Sequence, residues 1–250
     1  MSLLELRGLC KSFGNLVAVD NLSLAAEVGV FQAIIGPNGA GKTTVFNLLS
    51  GLFRPTAGSI FLDGADVTSY VPEQRVALGM ARTFQITEIF PELSVRLNLC
   101  IGAEAAAGFR RRPWLSRAET AGIAARVDEL AGMVGLTEKL DRPVGELSHG
   151  DQRAVEIGLA LALHPKLLLL DEPTAGMGDQ ETEAIAELMQ RLHRQHGLTI
   201  VLIEHDMQLV FRLADRITVL DRGAMLASGT PAEIGANDAV QAAYLGRQEA

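Results

Sequence analysis

The hydrophobic residues of this 250-residue chain follow two patterns that alternate along its length. Short, nearly continuous apolar runs are typical of strands buried on both faces of a parallel sheet. Longer segments carry apolar residues at helical spacing. We predict strands at 30–35, 166–170, 199–203 and 216–220, and helices at 42–50, 150–163, 180–195 and 207–213. Strands separated by helices of about 10–15 residues predict an α/β fold with a largely parallel sheet.

Other regions depart from this alternation. β-like segments come first, at 3–9, 22–26 and 59–62, and a hairpin turn at Asp63-Gly64 follows the last of them. Between about residues 88 and 147, Ala, Leu, Arg and Glu at helical spacing replace the β-branched runs, which predicts an inserted helical subdomain. We also predict a short helix from Pro72, strands at 80–85 and 224–227, and a helical tail over 231–250.

A glycine-rich segment directly follows the apolar run at 30–35. It reads Gly36, Pro37, Asn38, Gly39, Ala40, Gly41, Lys42, Thr43 and Thr44. Three glycines allow a tight turn whose N–H groups point at phosphate oxygens, and the following helix adds its positive dipole end. Lys42 can then reach the β- and γ-phosphates, and the Thr43 hydroxyl can hold Mg²⁺. The strand–turn–helix setting favours a nucleotide-binding phosphate loop over a plain glycine turn.

Two acidic residues follow four consecutive leucines at 167–170. Such a strand is buried on both faces, and Asp171 emerges at its carboxyl end, where parallel sheets bind ligands. Asp171 can hold the Mg²⁺ shell next to Thr43. Glu172 is expected to point elsewhere, toward a water that attacks the γ-phosphate. A helix-capping acid is the alternative interpretation.

The segment 147–152, Leu-Ser-His-Gly-Asp-Gln, precedes an amphipathic helix for which Ser148 is a natural N-cap. Because it lies 23 residues before Asp171, it resembles the signature motif of ATP-binding cassette (ABC) ATPases. In that family the serine, the glycine amide and the helix N-terminus bind the γ-phosphate held by the opposite subunit. The resemblance transfers these roles to Ser148 and Gly150. His149 and Asp151 depart from the usual residues.

The resemblance to ABC ATPases extends along nearly the whole chain. It implies that Gln85, in Arg-Thr-Phe-Gln, contacts Mg²⁺ and senses the transporter, and that His205, in Ile-Glu-His-Asp, contacts the γ-phosphate. It also implies that Phe13 stacks on adenine; a core phenylalanine is the alternative. The loop at 175–179 departs from the family pattern, so no contacts are transferred to it. The implied fold is α/β, a P-loop NTPase with a RecA-like parallel core, an N-terminal antiparallel β-subdomain and an inserted helical subdomain.

Composition limits the alternatives. A formal net charge of −8 argues against a protein that coats nucleic acid, and 48% apolar residues supply a full core. Cys10 and Cys100 lie far apart and indicate neither a disulfide framework nor a metal site, so we expect a reducing compartment. We find no signal peptide and no apolar stretch long enough to span a membrane. We therefore expect a soluble chain; if it works at a membrane, another protein must hold it there.

Three further strings, at 81–85, 203–207 and 240–246, resemble the ATPases of importers of branched-chain amino acids and related amides. Arg96 departs from this subfamily, which usually has Glu there. The ATPase of a lipopolysaccharide exporter is the nearest alternative, and a soluble, non-transport ABC ATPase is another. For Arg110–Arg112 we favour a solvated loop over contact with lipid headgroups or a permease.

The resemblance thus implies a single ABC ATPase domain over residues 1–250 that binds ATP and Mg²⁺ and hydrolyses ATP, with Lys42, Glu172 and His205 as catalytic residues. It implies a peripheral position at the cytoplasmic face of the membrane. The expected partners are permease subunits, a second cassette, identical or similar, and indirectly a substrate-binding protein; we expect no nucleic acid. The segment 86–99, in which we expect exposed apolar residues such as Ile89 and Phe90, is expected to dock the permease.

Overall fold

The structure is a computed structural model that describes residues 2–83, 89–108 and 116–245. Its strands are β1 (Ser2–Phe13), β2 (Leu16–Glu27), β3 (Phe31–Ile35), β4 (Ala57–Leu62), β5 (Ala65–Asp66), β6 (Met80–Arg82), β7 (Leu167–Asp171), β8 (Thr199–Ile203), β9 (Arg216–Asp221) and β10 (Ala224–Gly229). Its helices are α1 (Lys42–Leu49), α2 (Pro72–Ala77), α3 (Val95–Ala106), α4 (Arg117–Val134), α5 (His149–Ala162), α6 (Asp179–His196), α7 (Met207–Leu213), α8 (Pro231–Gly235) and α9 (Asp238–Leu245). Short 3-10 turns lie at Thr137–Lys139 and Val144–Glu146.

The strands form two sheets. The larger has the order β10-β9-β3-β8-β7-β6, in which every pair is parallel except β10 with β9. The smaller is antiparallel, with the order β2-β1-β4-β5. This arrangement confirms the predicted fold class, a parallel α/β core with an N-terminal antiparallel sheet.

β1 and β2 are longer than the sequence predicted. Each spans 12 residues, and they are paired up to the hairpin end, where Phe13 faces Leu16. Shifts in their register, among them those between Leu6 and Leu9 and between Leu9 and Lys11, break the apolar alternation from which strands are recognised. The strand predicted at 80–85 ends at Arg82 within the described residues, and Gln85 lies outside them.

The core lies on both faces of the parallel sheet. On β7, Leu168 and Leu170 pack into the cluster that includes residues of α3, α4, α5 and α6. Leu167 and Leu169 pack into the opposite cluster, which includes α1 and the antiparallel sheet. All four leucines are fully buried, so each substitution by Ala would cost about 2–5 kcal/mol. Packing of the four leucines on both faces of the sheet thus fixes the strand that ends at Asp171.

The topology brings the carboxyl ends of three central strands to one edge of the sheet. β3 and β7 both pair with β8, and Asp171 lies in register with Ile203. The segments that follow these strands begin at Gly36, Glu172 and Glu204. The two predicted site acids, Asp171 and Glu172, and the glycine-rich turn therefore meet at this edge.

Candidate nucleotide-binding and hydrolysis site

The glycine-rich turn between β3 and α1 has room for glycine alone at two positions. A Cβ atom at Gly36 would lie 2.3 Å from the carbonyl oxygen of Leu220. A Cβ atom at Gly41, which has φ +98°, would lie 2.4 Å from the carbonyl oxygen of Ala18. The loop is therefore pressed against the neighbouring backbone, and Gly41 caps α1 without a side-chain hydrogen bond. The N-terminal N–H groups of α1 stay available to an anion.

Lys42 is buried and folded over this loop. Its Nζ donates to the carbonyl oxygens of Gly36 at 2.6 Å and Pro37 at 3.1 Å. Burial lowers the pKa of Lys42, and the negative charges of Glu172 and Asp171 act in the opposite direction. The predicted phosphate-binding lysine and the two predicted acids thus belong to one electrostatic site.

A buried arginine holds the other end of α1. Arg75, 1% exposed, donates to the carbonyl oxygens of Leu48, at 2.6 Å, and Leu49. Both carbonyl groups lie in the last turn of the helix, where the helix does not supply every carbonyl with a partner, and the Leu48 oxygen also accepts from the Gly51 N–H at 3.2 Å. Desolvation lowers the pKa of Arg75 to about 10. The arginine fixes the helix whose opposite end forms the phosphate loop.

Asp171 is fully buried at the end of β7. Its Oδ2 accepts a hydrogen bond from Arg82 at 2.8 Å. Arg82 also donates to Asn47 Oδ1 on α1, at 2.7 Å, and to Oγ of Ser50, the C-cap of α1, at 3.0 Å. Among the described residues, Asp171 Oδ1 has no hydrogen-bond partner. A buried carboxylate oxygen without a hydrogen-bond partner is costly, which favours the binding of a donor or a cation there.

This orphaned oxygen and the exposed Thr43 hydroxyl at the start of α1 are hard oxygen donors of the kind that Mg²⁺ prefers. The residues present therefore fit the ion that the sequence predicted. The third predicted ligand, Gln85, lies outside the described residues. Within the described ranges no cluster of three or more His, Cys, Asp or Glu residues suited to a metal ion occurs.

Glu172 follows Asp171 in a left-handed conformation, with φ +43°. Non-glycine residues adopt this conformation at a cost, and they keep it where the surroundings impose it. The N–H of Glu172 donates to the carbonyl oxygen of Ile203 at 2.9 Å, which ties the residue to β8. Its side chain lines a cleft of about 420 Å³ together with His149 and Gln152. The left-handed conformation ends the extended strand at Glu172. This is compatible with the prediction that Glu172 and Asp171 have different roles.

His205 lies just beyond β8, and 65% of its side chain is exposed. Its Nδ1 is 3.4 Å from Glu204 Oε2, and its backbone N–H donates to the same oxygen at 2.9 Å. The imidazole is therefore free to approach a ligand while its main chain is fixed. Its role toward the γ-phosphate remains a prediction.

Phe13 is not a core residue, because 43% of it is exposed. Its ring makes an edge-on contact with Phe53, with the ring centroids 5.4 Å apart. Lys11 Nζ lies 4.9 Å from the centroid of Phe13 and donates to the carbonyl oxygen of Arg54 at 2.8 Å. An exposed, supported aromatic ring is suited to stacking on a base, which stays a prediction for Phe13.

Ser148 and Gly150 form the N-terminus of α5. Ser148 Oγ accepts a hydrogen bond from the Asp151 N–H at 3.2 Å, as the predicted N-cap. The Gly150 N–H donates to Glu181 Oε1 at 3.2 Å, so a carboxylate already engages the amide that the resemblance assigns to phosphate. Asp151 pairs with Lys139 at 2.5 Å, which accounts for an acid at this position.

Three residues of the site were not identified from the sequence. Arg82, Arg153 and Glu204 bridge strand ends and helices that are distant in the chain. What the sequence did show was a charged residue in or directly after an apolar strand. Arg82 and Glu204 are such residues, and they lie in the segments 81–85 and 203–207 that resemble the importer ATPases. Their partners become evident only from the order of the strands.

No helix among the described residues is long and apolar enough to cross a membrane.

Comparison with known proteins gives matches over the whole chain. A family model described as "ABC transporter" matches residues 19–175, and one described as "Branched-chain amino acid ATP-binding cassette transporter" matches residues 224–250. The high-affinity branched-chain amino acid transport ATP-binding proteins LivG of Salmonella typhimurium and BraF of Pseudomonas aeruginosa are each 40% identical over 250 residues, 98% of both chains. A crystal structure of the ADP conformation of an ATP-binding cassette of an ABC transporter aligns with a TM-score of 0.86. It is 29% identical and covers 99% of this chain and 100% of that one.

Proposed function

Because this chain belongs to the ABC transporter family, we propose that it is the ATP-hydrolysing subunit of an importer of branched-chain amino acids. The observation that carries the substrate class is the 40% identity to LivG and BraF over 98% of each chain. The match of residues 224–250 to the branched-chain amino acid cassette family supports the same class, and it lies outside the part shared by ABC transporters in general.

In this proposal the nucleotide binds along the carboxyl edge of the parallel sheet. The loop amides and Lys42 hold the β- and γ-phosphates, and Phe13 stacks on the adenine. For that to occur, Lys42 Nζ exchanges its two carbonyl acceptors for phosphate oxygens, which is favourable because a carbonyl is a weaker partner than an anion. Thr43, Gln85 and Asp171 would hold Mg²⁺, which, when bound, neutralises charge on the phosphate oxygens.

Hydrolysis then needs an oriented water more than covalent chemistry. Glu172 accepts the proton of the attacking water, and His205 contacts the γ-phosphate from the adjacent loop. The register of Asp171 with Ile203 keeps both loops next to each other. Lys42 stabilises the charge that develops on the transferred group.

We further propose that two cassettes act together and that permease subunits hold them at the cytoplasmic face of the membrane as peripheral proteins, with a substrate-binding protein delivering the amino acid. The whole of residues 1–250 would form one ATPase domain, in which 88–147 is the helical subdomain. Exposed apolar side chains on and before α3 support a permease contact: Phe90 is 50% exposed, Leu97 49% and Ile101 40%. Ile89, which we expected to be exposed, is instead partly buried, because it packs against the main hydrophobic core. Leu97 and Ile101 are four residues apart and share one face of the helix.

The proposal is tested with the membrane complex that contains this chain, reconstituted in liposomes and supplied with radiolabelled leucine and ATP. Lys42→Ala should abolish uptake and ATP hydrolysis. Lys166→Ala is the matched control, because Lys166 pairs with Asp63 at an exposed position outside the site, and it should leave both intact. ATP-driven uptake that persists in Lys42→Ala, or a complex that hydrolyses ATP without accepting any branched-chain amino acid, would contradict the proposal.

A further inference from the structure

The carboxylate of Glu204 is fully buried between the loops that carry Glu172 and His205. Its Oε1 accepts hydrogen bonds from the hydroxyl of Thr174 and, at 3.3 Å, from the Thr174 N–H. Its Oε2 accepts from the N–H of His205 at 2.9 Å and from that of Asp206 at 3.5 Å. Burial of a charge is costly unless hydrogen bonds compensate it, and these four donors supply the compensation.

All four donors belong to the two loops at the hydrolytic edge of the site. Thr174 is two residues beyond Glu172 on the loop after β7, and His205 and Asp206 follow β8 directly. No Lys or Arg within the described residues forms an ion pair with Glu204. The four donors are main-chain and hydroxyl groups, so the carboxylate holds two main-chain segments in place; the His205 Nδ1 also lies 3.4 Å from its Oε2.

The backbone at Glu172 shows why such orientation is needed. Its φ of +43° is unfavourable for a non-glycine residue, so neighbouring contacts must impose it. On one side, Arg153 of α5 donates to the carbonyl oxygens of Asp171 at 3.0 Å and Pro173 at 3.2 Å. On the other side, the two hydrogen bonds to Glu204 hold Thr174.

We propose that Glu204 is a positioning residue that fixes the loop of Glu172 and the main chain of His205 relative to each other. One side chain thus sets the geometry of both groups that act on the γ-phosphate. The inference rests on the proposed function, in which Glu172 and His205 take part in ATP hydrolysis. It assigns to Glu204 no contact with ATP itself.

A positioning role differs from a merely stabilising one in what a substitution changes. The phosphate loop, Lys42 and Phe13 make no described hydrogen bond to Glu204, so ATP affinity should not depend on it. A displacement of the reacting groups lowers kcat, and shifts of about 1 Å can cost about 100-fold. Loss of fold stability alone would lower the active fraction without changing kcat per folded molecule.

The variants are Glu204→Gln, which removes the charge at equal size, and Thr174→Val, which removes only the hydroxyl donor. The matched control is Thr218→Val, because Thr218 is also fully buried and hydrogen-bonded but lies in the middle of β9. ATPase kinetics, ATP binding and amide hydrogen exchange are measured on the full chain.

We expect kcat to fall about 10- to 100-fold in Glu204→Gln and less in Thr174→Val, with ATP affinity changed by less than about twofold. Because Glu204→Gln weakens the same Thr174–Glu204 hydrogen bond that Thr174→Val removes, the double variant should lose less than the product of the single losses. The amides of Thr174, His205 and Asp206 should exchange faster in Glu204→Gln. Thr218→Val should keep kcat and these exchange rates.

Two results would overturn the proposal: wild-type kcat in Glu204→Gln, or an equal loss of kcat in Thr218→Val. Absence of ATPase activity in the wild-type chain and its membrane complex would instead refute the proposed function. In that case hydrogen exchange still decides the positioning role, since unchanged exchange at Thr174 and His205 would exclude it.

Discussion

Arg82 links Asp171 to the helix of the phosphate loop. One guanidinium nitrogen lies 2.8 Å from Asp171 Oδ2, and another donates to Asn47 Oδ1 on α1 and to Oγ of its C-cap residue Ser50. The side chains of the pair are 9% and 0% exposed, so solvent screens the interaction little. The pair leaves Asp171 Oδ1 without a hydrogen-bond partner among the described residues, and it couples the position of β7 to that of α1.

Arg82→Met should therefore lower both stability and Mg²⁺-dependent nucleotide binding. Leaving one charge of a buried pair without its partner typically costs about 3–5 kcal/mol. Urea unfolding measures the first effect, and nucleotide affinity titrated with Mg²⁺ measures the second. The double variant with Asp171→Asn should recover part of the stability but none of the Mg²⁺ dependence. An Arg82→Met chain as stable as wild type would contradict the role of the pair.

The close approach at Gly36 predicts a strong effect of a single methyl group. Gly36→Ala places a Cβ 2.3 Å from the Leu220 carbonyl oxygen, so the loop must move. We expect the free energy of unfolding to fall by about 2 kcal/mol or more, and nucleotide binding to be lost as well. Gly122→Ala is the matched control in α4, where a Cβ meets nothing within 4 Å. It should stabilise the chain by about 0.5–1 kcal/mol. Thermal unfolding of both variants checks the contrast, and equal effects would contradict it.

The exposed residues before and on α3 predict where the permease docks. In a background without Cys10 and Cys100, Phe90→Cys should cross-link to a membrane subunit when the complex is treated with a bifunctional thiol reagent. Val28→Cys is a control that is also exposed, at 63%, but lies between β2 and β3. Cross-links from position 90 to soluble proteins only, or equal capture from position 28, would count against the transport proposal.

The start of α8 predicts a pH dependence. The N–H and hydroxyl of Thr230 bind the Glu233 carboxylate, at 2.7 and 3.0 Å, and these hydrogen bonds lower its pKa below the usual 4.5. Since the folded pKa is the lower one, the folded chain gains stability from this group above the unfolded pKa and loses it as pH falls through the folded pKa. Glu233→Gln should thus be less stable than wild type at pH 7, and urea titrations should show this difference shrinking as the pH falls below 4.5 and through the folded pKa. A difference independent of pH would contradict the assignment.

The sequence predicted the position of those candidate site residues whose placement depends on their neighbours in the chain. The turn at 36–44 and the acids after 167–170 act through local backbone geometry, so their pattern predicts their place. The roles of Arg82 and Glu204 depend on β7 lying between β6 and β8, an order that local patterns do not specify. Phe13 remained ambiguous because an exposed and a buried phenylalanine look alike in sequence, whereas its position beside the hairpin end exposes it.

ATP turnover by the Glu172→Gln variant tests the central claim most directly. The amide removes the acceptor that polarises water and leaves the phosphate loop and Lys42 intact. The account predicts that the variant, alone or mixed with its partner cassette, binds ATP and Mg²⁺, loses hydrolysis and accumulates as an ATP-bound closed dimer. Light scattering with ATP and Mg²⁺ identifies the dimer: formation by the variant alone indicates a homodimer, and formation only in the mixture indicates a mixed pair. Hydrolysis near the wild-type rate would contradict the account and show that Glu172 is not the general base.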